Sequence, residues 1–538
     1  MANKNILLIE PGYKNKYPPL GLMKLAQYHG PHGKRDKVKF IKGEDPSVFG
    51  TAWDRIYITT LFSFEFARIA QSIEFALKVA NGHADKIFVG GIAASLMPGQ
   101  FASRQSWQGI RFIQGLLTGS PSKALKLDEY SEELYSEDHG GPAIEDLIPD
   151  YSILDQIDYK YPVRDAYFAY ASRGCIRKCT FCGVPKLEGE QRDAESITSV
   201  VRNIEARYGP KKDLILMDNN VVASPRFHQI IEEIRDLGFV PDAKLSVGRV
   251  PIQRRVDFNQ GVDARILCKG PSYLRDLSRI CLKPLRIAFD HLGLKGPYEQ
   301  AVRYAHEFGL TSMSNYMLYN FHDTPADLFE RMRLNVTLNE ELGLRIWSFP
   351  MRYQPTNLPD RTHVGEKWTR YQLRAMQLIL QATHGVVSGD PGFFKRAFGD
   401  TAAEFHDLLM RPHHFIFNRD WYEKHGGQAQ FTEYRKEFKK LSNSERAELL
   451  GLIASVDPSD LKDQVGLATT SRVRSIMEHY LPLTKDKEAE IWAKQRAMKK
   501  KDDPSIVVPD EERVEDAGLN YEEAPSRQKQ RQKVMATA

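Results

Sequence analysis

Short apolar runs alternate with helix-patterned stretches through the first two thirds of this 538-residue chain, and that rhythm restricts the fold more than any other feature. Asn5–Glu10 (NILLIE), Arg55–Leu61 (RIYITTL) and Lys86–Gly91 (KIFVGG) read as strands, with Val38–Ile41 a weaker one and Arg111–Gln114 the start of another. Leu20–Tyr28 and Phe66–Ala80 carry helical spacing between them. Strands separated by helices pair in parallel, so residues 1–120 are expected to form a doubly wound, Rossmann-like sheet. Periodicity is lost over 121–164, where Asp, Glu, Tyr and Pro crowd together; this reads as a linker, packed in parts. From Tyr167 the alternation resumes. YFAYAS, Leu214–Met217, Ile266–Leu267, Leu285–Phe289, Ser314–Tyr319 and Ile346–Phe349 make six strands. They predict a partial β/α (TIM-like) barrel over 165–360, a fold that builds its sites at the C-terminal ends of its strands. Helical patterns at Lys367–Thr383, Asp400–Met410, Gln430–Phe438, Ser444–Ala454 and Arg472–His479 predict a helical C-terminal region over 361–490. The polar stretch 491–538 is too poor in apolar side chains to order itself and reads as a disordered tail. At about 150 residues per domain, the length accommodates this α/β architecture of three or four units.

Composition narrows the class. Hydrophobic residues make up 42% and charged residues 27%, a soluble globular balance that excludes collagen-like and disulfide-scaffold chains. The net charge of +5, spread over this length, gives no strong case for nucleic acid. The basic run at Arg527, Lys529, Arg531 and Lys533 reads as a solvated charge run. No apolar run approaches the ~18 residues that span a bilayer, and the opening run Ile6–Ile9 reads as a strand rather than a signal peptide. The expectation is a cytoplasmic protein with no membrane partner. An aromatic and histidine-rich stretch (Phe394, Phe398, His413, His414, Phe415, Phe417, Trp421) reads as helix-packing core.

Three of the five cysteines lie within eight positions: Cys175, Cys179 and Cys182, spaced C-x3-C-x2-C directly after a strand. A disulfide framework would spread its cysteines along the chain. Arg173, Arg177 and Lys178 supply positive charge that favours thiolate. Thiolates hold iron–sulfur clusters, ordinarily through four cysteines. With three, one iron would lack a protein ligand and stand open to a substrate or cofactor. A structural zinc site would need a fourth ligand, usually from a second paired half, and the sequence has no second C-x2-C. Cys268 and Cys281 stand apart and read as buried thiols.

With Phe181 before the last cysteine, and on the loop after a first barrel strand, the motif resembles that of the radical S-adenosylmethionine (SAM) superfamily. The resemblance implies that Cys175, Cys179 and Cys182 bind a [4Fe–4S] cluster whose fourth iron is chelated by SAM. Electron transfer would then cleave the sulfonium to a 5′-deoxyadenosyl radical. It implies a reducing electron donor of flavodoxin or ferredoxin type. Asp218, Asn219 and Asn220 end the second barrel strand, where such enzymes carry polar groups near SAM. Phe258-Asn259-Gln260-Gly261-Val262-Asp263-Ala264-Arg265 is similar to the third-strand motif of the subgroup with an N-terminal cobalamin-type domain, marking Asn259, Gln260, Asp263 and Arg265 as candidates. Asp290, Tyr319 and Arg352 end later strands. The opening Pro18–Leu22, with residues 60–63 and 88–91, resembles that subgroup's cobalamin-binding domain, where Gly90 and Gly91 would let backbone approach a bulky ligand. The chain departs from the subgroup's D-x-H-x-x-G motif: Glu10-Pro-Gly-Tyr-Lys-Asn-Lys holds no histidine, and His29 and His32 are expected at the surface. The functions left open are radical SAM chemistry on an unknown substrate with cobalamin-dependent methyl transfer, a radical SAM oxidoreductase or sulfur-inserting enzyme without cobalamin, and a non-catalytic Fe–S redox sensor.

Overall fold

The structure, a computed structural model, describes residues 3–117, 143–246, 250–454 and 461–499. The first unit is a parallel sheet of β1 (Asn5–Glu10), β2 (Lys37–Lys42), β3 (Arg55–Thr60), β4 (Ile87–Gly91) and β5 (Arg111–Ile113), in the order β2-β1-β3-β4-β5. This is the flavodoxin-like variant of the doubly wound sheet, with its topological switch point between β1 and β3. Alternation in β1 sends Leu7 and Ile9 to one face and Ile6 and Leu8 to the other. Leu7 and Ile9 pack with Ile69 and Ile73 of α2 (Phe66–Val79). Ile6 and Leu8 join one continuous core with Met23 of α1 (Leu20–His29) and with the barrel residues Phe168 and Leu214.

Six parallel barrel strands follow in chain order: Ala166–Ala169, Asp213–Leu216, Val256–Phe258, Leu285–Arg286, Ser312–Tyr319 and Arg345–Arg352. The first three pair with one another, as do the last three. Parallel bridges at Val256–Leu282 and Val262–Ile287 join the two sets. The third strand corrects the sequence expectation, since Ile266–Leu267 lies in a helical turn, Ala264–Leu267, capped by Asp263, whose carboxylate accepts the Arg265 N–H at 3.0 Å. The true third strand hides in the sequence because Asp257 interrupts its apolar run. That charge is buried, and Arg286 of the fourth strand neutralises it with two bonds of 2.8 Å.

The linker portion 143–164 is packed rather than loose, with Ile144, Tyr151, Ile153, Tyr161 and Val163 buried. The C-terminal region is helical, and Phe415, Trp421, Tyr422, Phe431 and Tyr434 form a separate core with Val473 and Ile476. The expected tail opens on a helix, Lys485–Lys499. Its remainder, like 118–142 of the linker, lies outside the described residues. Among the described residues no helix is long and apolar enough to cross a membrane.

Candidate metal centre and its surroundings

The first barrel strand ends at Ala169, and a two-residue antiparallel ladder, Ser172–Arg173 with Arg192–Asp193, closes the cysteine loop at its base. Gly174 is required at the turn. It sits at φ +74, and a Cβ there would come within 2.3 Å of the Glu190 carbonyl oxygen, a conformation and a proximity open only to glycine. Asp218, at the end of the second strand, holds the approach to this turn. Its carboxylate accepts the Ala171 N–H at 2.9 Å, the Ser172 hydroxyl at 2.7 Å and the Ser172 N–H. Burial pushes its carboxyl up to about 6 despite these donors. Both of its oxygens are therefore spent on the bend. Glu188 plays the matching part on the return limb, accepting Arg173 at 3.1 Å, the Gly174 N–H at 2.9 Å and the Asn219 amide at 3.0 Å. Glu188 has no motif around it that would mark it in the sequence.

Cys175, Cys179 and Cys182 are free thiols, each partly exposed. The Cys175 sulfur accepts the Arg177 N–H at 3.4 Å and the Asn220 amide at 3.9 Å. Cys182 accepts the Val184 N–H at 3.4 Å, and the Arg265 guanidinium bonds the Cys179 sulfur. Burial pushes the Cys179 and Cys182 thiols up, and each feels its neighbouring sulfurs as like charges. Three mutually repelling sulfurs, each furnished with a donor, are a set that a cationic centre would stabilise as thiolates. Among the described residues no three His, Cys, Asp or Glu side chains converge to hold a single metal ion. A cluster asks for less convergence, since each cysteine takes a different iron. The donor set therefore fits an iron–sulfur cluster.

The third-strand motif meets this loop. Asp263 binds Arg177 of the cysteine loop at 2.6 Å and Arg265 at 2.8 Å. Burial alone would raise its carboxyl, but the bonds from the two guanidinium groups hold it below the usual carboxylate range. Asp290, beside the same thiols, is pushed up to about 6 by burial against the pull of Arg331 and Arg265. Asn259 is nearly buried at the third-strand end, whereas Gln260 is exposed. Tyr319 and Arg352 do not join this group. Tyr319 packs on Trp368, and Arg352 bonds the His363 carbonyl at 2.8 Å. Cys268 and Cys281 are half-buried and lie apart from the loop.

At the sheet's edge of the site, Gly91 has φ +109, and a Cβ on it would lie 2.8 Å from the Thr60 carbonyl oxygen. The Thr60 hydroxyl donates to the Gly90 carbonyl and accepts the Ala94 N–H. The fold itself thus demands glycine at 91. A Cβ on Gly90 would meet nothing nearer than 3.6 Å. The helix after this turn, Ile92–Leu96, touches the cysteine loop: Leu96 lies against Gly183, where a Cβ would come within 2.8 Å of its methyl. The strand ends of the sheet and of the barrel therefore meet at the cysteines. His29 corrects its surface expectation. It is buried, with Nδ1 bonded to Asp36 (2.8 Å) and Nε2 to the Tyr57 hydroxyl (3.0 Å). It ends α1, at the opposite end of the sheet from the switch point. His32 is exposed.

No protein-family model and no curated protein matches the chain. Two solved structures of the radical S-adenosylmethionine methyltransferase TsrM from Kitasatospora setae are similar to it. One has cobalamin and a [4Fe–4S] cluster bound, with 15% identity and a TM-score of 0.45, covering 66% of this chain and 77% of that one. The other has tryptophan substrate and the SAM analogue aza-SAM bound, with the same identity and TM-score, covering 66% of this chain and 75% of that one. At this level of similarity the site's own chemistry decides its reading.

Proposed function

We propose that the chain is a radical SAM enzyme, acting on a substrate that neither the sequence nor the fold names. The observation that carries the proposal is the trio Cys175, Cys179 and Cys182 on the loop after the first barrel strand, each sulfur with its own hydrogen-bond donor. These residues would hold three irons of a [4Fe–4S] cluster and leave the fourth for SAM. When bound there, the cluster supplies the electron that cleaves the SAM sulfonium. The chain's own residues do the positioning. Asp218 and Glu188 fix the two limbs of the loop, and Asp263 ties the loop to the barrel through Arg177 and Arg265. Asn220 and Arg265 favour the thiolates by donating to sulfur. Asn219, Asn259, Gln260 and the free side of Arg265 are the groups offered to SAM. Half-exposed Arg177 and exposed Lys178 give a flavodoxin- or ferredoxin-type electron donor a cationic approach. Anaerobic reconstitution should yield about four irons per chain, and dithionite should release 5′-deoxyadenosine from SAM. A fully loaded protein that cleaves no SAM refutes the enzyme and leaves a cluster-bearing protein.

Doubly wound sheets bind ligands at the carboxyl ends of their strands, and here Leu96, just past β4, lies against Gly183 of the cysteine loop; a corrinoid at those strand ends would support methyl transfer. The residues do not fit a histidine-ligated cobalamin. Glu10 stands at the end of β1, buried and paired with Lys42 at 2.8 Å, and His29 spends both nitrogens elsewhere. A corrin bound here would be held without a protein histidine on cobalt. The second reading, radical SAM chemistry without cobalamin, is favoured by Gly91, whose glycine requirement Thr60 already accounts for. Retention of hydroxocobalamin after gel filtration separates the two.

A further inference from the structure

The loop from Pro11 to Pro19, between β1 and α1, runs from the switch point of the sheet into the barrel. A buried polar network holds its base. Asn15 Nδ2 donates to Glu10 (2.7 Å) and to the Tyr17 carbonyl (2.8 Å). Lys42 donates to Glu10 (2.8 Å) and Asn15 (2.7 Å). The Tyr161 hydroxyl donates to Glu10, the Tyr159 hydroxyl donates to the Asn15 carbonyl at 2.8 Å, and the Val163 N–H donates to the Lys16 carbonyl at 3.1 Å. The Lys42 ammonium faces the Tyr13, Tyr159 and Tyr161 rings at 4.6–5.5 Å. A satisfied buried network of this kind makes a loop rigid. What it aims is Tyr17. The Tyr17 ring lies edge-on to Phe168 of the first barrel strand, 6.1 Å between centroids, and its hydroxyl donates to Asn259 Oδ1 at 2.6 Å. The Asn259 Nδ2 then keeps only a 4.0 Å contact with the Met217 sulfur, a weak acceptor.

We propose that Tyr17 is a positioning residue for the barrel site: by occupying Oδ1 it fixes the Asn259 amide so that Nδ2 faces an acceptor oxygen of the ligand bound at the strand ends. The proposal rests on the SAM reading above, in which that oxygen belongs to SAM. An asparagine amide looks nearly the same from both ends, and only its hydrogen bonds choose between them. Without the phenol the amide can turn its oxygen toward the ligand's oxygen, and the lost contact amounts to about one net hydrogen bond, or a three- to tenfold loss of affinity. The sheet domain thereby sets the donor pattern of the barrel.

The test is a double-mutant cycle in the full-length, anaerobically reconstituted protein. SAM affinity is measured by equilibrium dialysis for wild type, Tyr17→Phe, Asn259→Ala and the double variant, with iron content and urea midpoint recorded for each. The expected result is three- to tenfold weaker binding for Tyr17→Phe at full iron content, a loss at least as large for Asn259→Ala, and no further loss in the double variant. A merely structural tyrosine would weaken binding equally in both backgrounds, and that outcome overturns the proposal. Wild-type affinity in Tyr17→Phe, with Asn259→Ala impaired, overturns it while leaving the SAM reading intact. Wild-type affinity in both single variants removes SAM from Asn259, and the proposal falls with it.

Discussion

Asp218→Ala tests whether the bend before the cysteines is held by one carboxylate. Asp218 is 2% exposed and is the acceptor for two backbone N–H groups and one hydroxyl. Alanine orphans the N–H groups of Ala171 and Ser172 in a buried place, each at about 1–3 kcal/mol, so about 2–6 kcal/mol in all. A compensating term comes from removing a buried charge. Burial pushes the Asp218 carboxyl from 3.8 to about 6, which corresponds to about 3 kcal/mol of disfavoured ionisation at neutral pH. The difference runs from about −1 to about 3 kcal/mol, so the variant should lose about 1 kcal/mol at the centre of that range. Asp218→Asn separates the two terms, since it drops the charge but keeps an oxygen for Ser172, leaving only the Ala171 donor opposed, and should lose less than about 1 kcal/mol. Urea denaturation with an unchanged slope gives the stabilities, and iron per chain after reconstitution reports the loop. Asp218→Ala should bind less iron than wild type, with Asp218→Asn between them. Unaltered stability and iron in Asp218→Ala would show that the turn at Gly174 holds itself, and the argument would fail.

Four further outcomes follow from the structure. Cys175→Ala, Cys179→Ala and Cys182→Ala should each lose most of the iron by colorimetric assay, while Cys268→Ala and Cys281→Ala keep it. Gly91→Ala should cost about 1–3 kcal/mol, because alanine resists φ +109 and meets Thr60. Gly90→Ala should be stable, so any fall in its hydroxocobalamin retention reports the ligand's approach rather than the fold. Burial holds His413 and His414 down at about 4, whereas the unfolded chain protonates near 6.5. Their contribution to stability is complete above pH 6.5 and is lost as pH falls toward 4. Urea midpoints at pH 7 and 5 should therefore differ, and His414→Gln should narrow the gap.

The sequence made some of this legible through period and spacing. Strands such as NILLIE and RIYITTL show themselves because both faces are buried and their central residues form an unbroken apolar run. The cysteine trio shows itself because three thiols so close have few other uses. The third barrel strand escaped the apolar pattern for the opposite reason, since its charge at Asp257 is paired with Arg286, 29 residues on, and only the motif beginning at Phe258 marked where it ends. The same holds for His29, whose partners Asp36 and Tyr57 come from elements on either side of β2. Glu188, Asp218 and Tyr17 act through contacts across 14 to 242 residues of chain. A reading of local pattern supplies no such pairs: it marks Asp218 as a polar strand end, and only the fold shows its carboxylate bonded to Ala171 and Ser172 at the bend.

The long-range pairs also explain why the sheet and the barrel are one unit. Ile6, Leu8, Phe40, Tyr57 and Phe88 of the sheet share a core with Phe168, Leu214 and Val256 of the barrel. A cut between them would open that core to water. Above it, Lys24 of α1 binds Glu145 at 2.9 Å, Glu145 binds Arg173, and Arg173 lies 3.5 Å over the Tyr170 ring. This chain of contacts starts in the sheet domain and ends on the residue before Gly174. Burial and the neighbouring Arg173 push the Lys24 ammonium down to about 7, so Glu145 has two cations competing for it within one buried group. Such a group keeps its geometry only while all its members are present. The cysteine loop is therefore braced on one side by the barrel's own Asp218 and Glu188 and on the other by the sheet domain through Lys24 and Leu96, while Tyr17 reaches Asn259 at the third strand, which places the first domain in the construction of the site whether or not it binds a corrinoid.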